Sequence, residues 1–178
     1  HSDGIQTTDL NGLEDIGYDV AIQSDGKIVV AGTAFDSVES DFVILRYLTN
    51  GNLDSTFGGD GIVTIDFDTA AQSDAAHSIA IQADGKIVVA GCATSGIAWD
   101  YDLGVARLNM DGSLDTSFDL DGIRMISLGL ANSDNEVYDV KIDANGKLVM
   151  AGYIQTTSSG KNFALYRINS DGSTDTTF

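Results

Sequence analysis

Residues 79–93 read IAIQADGKIVVAGCA. An alternating apolar run enters an Asp84-Gly85 turn and a second apolar run leaves it, the strongest short-range signal for a β-hairpin. The pattern recurs as VAIQSDGKIVVAGTA at 20–34 and VKIDANGKLVMAGY at 140–153. The turn glycines Gly26, Gly85 and Gly146 stand 59 and 61 residues apart. Asp25, Asp84 and Asn145, each before a glycine, are read as turn residues of the type I′ kind.

Working outward, each hairpin supplies two strands, a and b. A loop rich in Ser, Thr and Gly follows, at 35–40, 94–101 and 154–161, and it is the part least alike among the copies. A third strand, c, follows as FVILRYL (42–48), LGVARLN (103–109) and FALYRIN (163–169). A corner closes each unit: NGNLDSTF (50–57), DGSLDTSF (111–118) and DGSTDTTF (171–178). A fourth strand, d, is expected after an Asp-Gly turn at DGIQTTDL (3–10), DGIVTIDF (60–67) and DGIRMISL (121–128). Sustained helical periodicity is missing and the chain has no proline. Four short strands repeated every ~60 residues are the signature of a propeller blade. The prediction is an all-β propeller segment of three repeats, 3–59, 60–120 and 121–178, with His1-Ser2 a tag remnant.

The segments QxDGKIVVAG, ARxNxDGSLDTSFG and DGxVTxDF resemble the bacterial delta-60 repeat, a propeller-type family of mostly unknown function. The resemblance covers almost all of 3–178. It implies secreted or surface-anchored proteins with tandem copies and no catalytic activity. The third unit departs from the pattern at Asp143 and Asn145.

The strands run d, abcd, abcd, abc, out of phase with the blade. Propellers close with about four to eight blades. Three leave an open d strand at Ile5–Leu10 and an open c strand at Phe163–Asn169, and open edges invite pairing. The expected solution is a homodimer of six blades, each d strand completing the partner's last blade; the alternative is a fragment of a longer tandem array, and both can hold.

Twenty-seven acidic residues against nine Lys and Arg give a net charge of −18. Six of the nine basic residues sit at repeat-fixed positions: Lys27, Lys86, Lys147, Arg46, Arg107 and Arg167. Nucleic acid and anionic membranes are therefore unsuited as partners. Membrane insertion is not expected, because no apolar run approaches the roughly 18 residues of a helical span. Such charge suits solubility in an extracellular or cell-surface setting. The single Cys92 excludes an internal disulfide framework and reads as a small core residue.

Candidate sites follow from the residue types. Arg46, Arg107 and Arg167 lie in apolar strands eight residues before Asp54, Asp115 and Asp175. A buried guanidinium requires a partner, so an Arg–Asp pair locking each unit is expected. Asn109, Asp111 and Asp115, with Asp171 and Asp175, resemble the back half of a calcium loop, making Ca²⁺ the one candidate cofactor. Asp15, Asp19, Asp74, Asp134 and Asp139 stand at or near the starts of strands a, and ring closure would gather them at a channel mouth. Trp99, Asp100, Tyr101 and Asp102, in and after the longest b–c loop, suit stacking on a sugar ring. His77 has no second histidine nearby in the repeat and aligns with Tyr18 and Tyr138, so catalysis through it is not expected. The overall expectation is a non-catalytic scaffold or interaction module with protein or glycan partners. A lectin-like propeller is the first alternative. A propeller glycosidase, which needs two converging carboxylates, is the second.

Overall fold

The computed structural model describes residues 3–10, 12–67, 73–94, 101–127, 134–156 and 160–178. The described elements are all strands. β1 (Asp15–Ile22), β2 (Ile28–Phe35), β3 (Ser40–Tyr47) and β4 (Ile62–Ile65) form the first antiparallel sheet. β5 (Ala75–Ile81), β6 (Ile87–Thr94), β7 (Tyr101–Leu108) and β8 (Ile123–Ile126) form the second. β9 (Glu136–Ile142), β10 (Leu148–Thr156) and β11 (Gly160–Ile168) form a third sheet of three strands. Each is a meander in chain order, and strand a of each sheet packs on strand a of the next.

The sheets stack face to face because their strands are apolar on both sides. Val29, Ala31, Phe42 and Ile44 of the first sheet meet Ile79, Ile87, Val89, Ala106 and Leu108 of the second. The opposite face of the second sheet, with Val88, Ala90, Leu103 and Val105, meets Val140, Leu148, Met150 and Ile168 of the third. The second sheet is covered twice, and every residue of β6 is buried. This is why IVVAGCA carries no polar residue.

The turn that organises the repeat is longer than a type I′ turn. Gln23 N–H donates to Lys27 O at 2.8 Å and Gly26 N–H to Gln23 O at 2.9 Å, closing a three-residue loop. Only the glycine takes the left-handed conformation, with φ of 83°, 86° and 78° in the three units. That is a type I turn followed by a glycine bulge. Asp25 and Asp84 need no left-handed backbone; each carboxylate accepts the N–H of the following lysine at 3.2 Å. In the third unit Asp143 takes over, accepting from Asn145 N–H at 2.8 Å and Lys147 N–H at 2.9 Å. The two departures from the repeat at 143 and 145 are thus one compensated change.

The strand expected at 3–10 does not form: residues 5–10 lie outside any sheet. A d strand takes its ladder from a c strand, and among the described residues none pairs with residues 5–10. The copies at 60–67 and 121–128 do pair, as β4 on β3 and β8 on β7.

The glycine of each VVAG or VMAG segment has a separate cause. The a–b pairing slips by a bulge between Gly17 and Asp19, Ala76 and Ser78, and at Ala151/Gly152. There the a-strand backbone bends onto strand b. A Cβ at Gly32, Gly91 or Gly152 would overlap the carbonyl oxygen of Ile16, Ala75 or Glu136. Gly91→Ala is therefore expected to lower the unfolding free energy by about 3 kcal/mol, measured by urea denaturation.

Candidate functional site

A charged box recurs in each of the three units. Arg46 Nε donates to Asp54 Oδ2 at 2.9 Å, and Lys27 Nζ reaches the same oxygen at 3.1 Å. Arg107 and Lys86 hold Asp115 Oδ2 at 2.6 and 2.8 Å. Arg167 and Lys147 hold Asp175 Oδ2 at 2.5 and 2.7 Å. The other carboxylate oxygen accepts from Thr56, Ser117 or Thr177 hydroxyl, each at 2.7 Å. The lysine comes from the hairpin turn, the arginine from strand c and the aspartate from the corner, so one box ties together three parts of a unit.

The guanidinium then crosses the seam. Arg46 donates through Nη1 to the Met110 carbonyl of the second unit, and Arg107 to the Ser170 carbonyl of the third. Each arginine lies over the closing phenylalanine of its own corner, 4.6 Å from the Phe57 ring and 4.9 Å from Phe118. Burial raises the pKa of Asp54 and Asp115, but the hydroxyl, lysine and arginine contacts outweigh it and hold both well below the usual carboxylate range. These carboxylates are ionised and saturated. All three units hold an Arg–Asp pair, and in the first two the arginine also reaches a carbonyl of the next unit.

Of the corner residues considered for calcium, Asp115 and Asp175 belong to this box. Asp111 and Asp171 bond within their own turns: each accepts from the serine two residues on, N–H at 3.0 and 2.9 Å and hydroxyl at 2.6 Å. Asn109 donates to Ser113 Oγ at 3.0 Å. The corners are built as carboxylate-capped turns.

The five acidic residues near the a strands do not converge on one place. Asp19 Oδ2 and Asp139 Oδ1 lie 3.0 and 3.1 Å from the Ser78 hydroxyl oxygen, whose single proton serves one of them at a time. Asp15 accepts Leu10 N–H at 2.9 Å. Asp74, buried, accepts Phe67 N–H at 3.1 Å and Thr94 N–H at 2.9 Å. Asp134 accepts from Tyr153 hydroxyl and Lys161, both at 2.7 Å. His77 lies between Tyr18, met edge to face, and Tyr138, on which it stacks, its Nδ1 2.9 Å from the Val137 carbonyl oxygen.

Sequence reasoning missed another acidic grouping. Asp41, Asp66 and Asp74 each bring a carboxylate oxygen within 4.8 Å of the others, the one such trio found among the described residues. These are the residues able to share a cation. No motif announces them, because Asp41 opens strand c, Asp66 follows strand d and Asp74 precedes the next a strand. Burial, then the charges of Asp66, Glu39, Asp74 and Asp36, push Asp41 up to about 6.

Trp99 and Asp100 lie outside the described residues. Tyr101 is half-buried at the start of β7. Asp102 is buried within that strand and is not offered to a ligand. Cys92 is buried too, and burial pushes its thiol up to about 12. A cleft of ≈ 530 Å³ opens between the first two units, lined by Gln23, Lys27, Arg46, Gln82, Met110 and Asp111.

Three antiparallel meanders stacked face to face, their inner strands adjacent and each holding the same ionic box, define a tandem repeat of the propeller type. The chain belongs to the family described as the beta-propeller domain of unknown function DUF5122. Its family model matches three times, over 23–57, 82–118 and 144–178. Each match begins just before the hairpin turn and ends on the corner phenylalanine, so it contains a whole box. No curated protein matches the chain.

Two outcomes follow from these charges. Arg107→Ala leaves buried Asp115 with Lys86 as its one cationic partner, and is expected to cost about 3–5 kcal/mol in urea denaturation. Arg107→Lys keeps the charge but loses the fork, and should recover less than half of that. Between pH 3.8 and about 6 the folded chain holds a proton on Asp41 that the unfolded chain has released. Stability therefore falls as pH rises across that window. Asp54 and Asp115 act oppositely, their contribution complete above pH 3.8 and lost as pH falls below it. In thermal melts across pH, Asp41→Asn should abolish the decline toward pH 6 while leaving the acid limb in place.

Proposed function

We propose that this chain is a non-catalytic propeller module whose working form is a closed ring of two copies, serving outside the cell as a rigid scaffold for protein interaction. The observation that carries the reading is at the two ends of the stack. Val20 and Ile22 of the first sheet are exposed, and so are Phe163 and Leu165 of the third. In the second unit Ile79, Leu103 and Val105, the equivalents of Val20, Phe163 and Leu165, are buried between sheets, and Ile81, the equivalent of Ile22, is partly buried. An uncovered apolar face on a soluble chain marks an interaction surface.

The non-catalytic assignment is supported by how the reactive side chains are spent. The box aspartates are saturated by Lys, Arg and hydroxyl donors, His77 is held between two tyrosines, and the Cys92 thiol is buried. The extracellular setting rests on the net charge of −18, which favours solubility and disfavours polyanionic partners. Among the described residues no helix is long and apolar enough to cross a membrane.

Light scattering after size exclusion should give twice the chain mass of 18.7 kDa. Leu165→Asp should return it to a single chain with its β circular-dichroism spectrum intact. A wild-type chain that runs at 18.7 kDa at high micromolar concentration would overturn the ring.

A further inference from the structure

We propose that a second copy of this chain lays residues Ile5–Thr8 along β11 as the fourth strand of the third sheet, in the register that β4 and β8 take in theirs. The inference rests on the ring reading above and specifies its closing joint. β4 pairs Ile62 with Leu45 and Ile65 with Phe42; β8 pairs Ile123 with Ala106 and Ile126 with Leu103. By the same repeat offset, the partner's Ile5 faces Tyr166, the partner's Gln6 faces Leu165, the partner's Thr7 faces Ala164, and the partner's Thr8 faces Phe163. β11 pairs on one side with β10, and its other edge has no strand among the described residues.

Both halves of the joint are already shaped for it. In the segment, Ile5 N–H donates to Asp3 Oδ1 at 3.2 Å, as Ile62 does to Asp60 and Ile123 to Asp121. Gly4 takes the same left-handed turn as Gly61 and Gly122, with φ of 75°, 99° and 96°. Leu10 N–H donates to Asp15 just as Phe67 N–H donates to Asp74. Thr8 hydroxyl meets Tyr47 hydroxyl at 2.8 Å, where the equivalents Ile65 and Leu108 share one apolar cluster. Residues 5–8 thus pack against the first sheet as the d strand of a preceding unit does, and among the described residues they form no strand ladder.

The receiving side shows matching vacancies, each filled by a residue inside the chain at the other two seams. Val149, Ala151, Phe163 and Leu165 stand where Val88, Ala90, Leu103 and Val105 are buried. The Arg167 side chain is 25% exposed, against 4% for Arg46 and 7% for Arg107, whose Nη1 atoms reach the next unit's carbonyl. The acceptor equivalent to Met110 and Ser170 is the carbonyl of the partner's Thr49. At the donor end, Val20 is 57% and Ile22 72% exposed, while Ile79 is 5% and Val140 0%. One chain therefore carries both the head and the tail of the same seam. Added strands of this kind draw affinity from ladder hydrogen bonds and specificity from alternating side chains. Two copies related by a two-fold axis satisfy both joints and leave no open face.

The test is a disulfide between two differently marked chains. Arg46 N–H donates to Gly61 O at 2.9 Å, so the pair Val43/Thr64 is a non-hydrogen-bonded one. Its equivalent in the new joint is Ala164 opposite the partner's Thr7, a spacing within disulfide reach. Thr7→Cys and Ala164→Cys would be made separately in a Cys92→Ala background, mixed, exchanged and oxidised. A covalent dimer from the mixture, with none from either variant alone or from Thr7→Cys mixed with Asn162→Cys, is the expected result. A dimeric mass without that cross-link would leave the ring standing and overturn the strand donation. A monomeric mass for the unmarked chain would overturn both.

Discussion

One buried cation organises the stack. Each arginine of strand c sits among apolar residues and must be neutralised there, because an unpaired guanidinium out of water is costly. The corner aspartate supplies the charge, the turn lysine shares it, and the remaining guanidinium nitrogen finds a carbonyl in the next unit. This last contact makes the unit cohere with its neighbour rather than with itself alone. The same requirement shapes what approaches it. Gly112 packs where a Cβ would press on Gly58 N and the Phe57 ring, and Gly172 where it would press on Asp119 N and the Phe118 ring. Gly51, at the outer face of the first unit, has open space.

The energetic logic is that of a stacked repeat, in which a unit's stability is shared with its neighbours. The middle sheet has two apolar faces and both are covered. The outer sheets have the same composition and each has one face uncovered. Apolar burial contributes roughly 25 cal/mol per Å², so the uncovered faces leave apolar burial unrealised. Covering them with water-soluble side chains would have been the solution for an isolated stack. Their retention as Val, Ile, Phe and Leu is what connects packing to the proposed assembly.

Much of this was legible in the chain. The Asp-Gly or Asn-Gly hairpins, the repeat of about 60 residues and the spacing of Arg to Asp depend on local periodicity and on one rule about buried charge, and all three units obey them. The lysine after each turn glycine and the hydroxyl two residues after each corner aspartate were visible as repeated letters. Their joining in one box was not, since they meet only when turn, strand and corner fold together. The Asp41, Asp66 and Asp74 grouping was illegible for the same reason, its members being scattered over three segments. The turn type misled because Asp-Gly fits two hairpin geometries, and the bulge that selects the three-residue loop is a property of the pairing.

Alternation, spacing and desolvation specify strands a, b and c of each unit, their order, and the pairs that neutralise buried arginine. Only the tertiary structure decided which apolar faces are covered, which a strand residues meet, and that residues 5–10 remain unpaired. A strand needs a neighbour before it can be one, and whether that neighbour exists is set by the stacking of whole sheets.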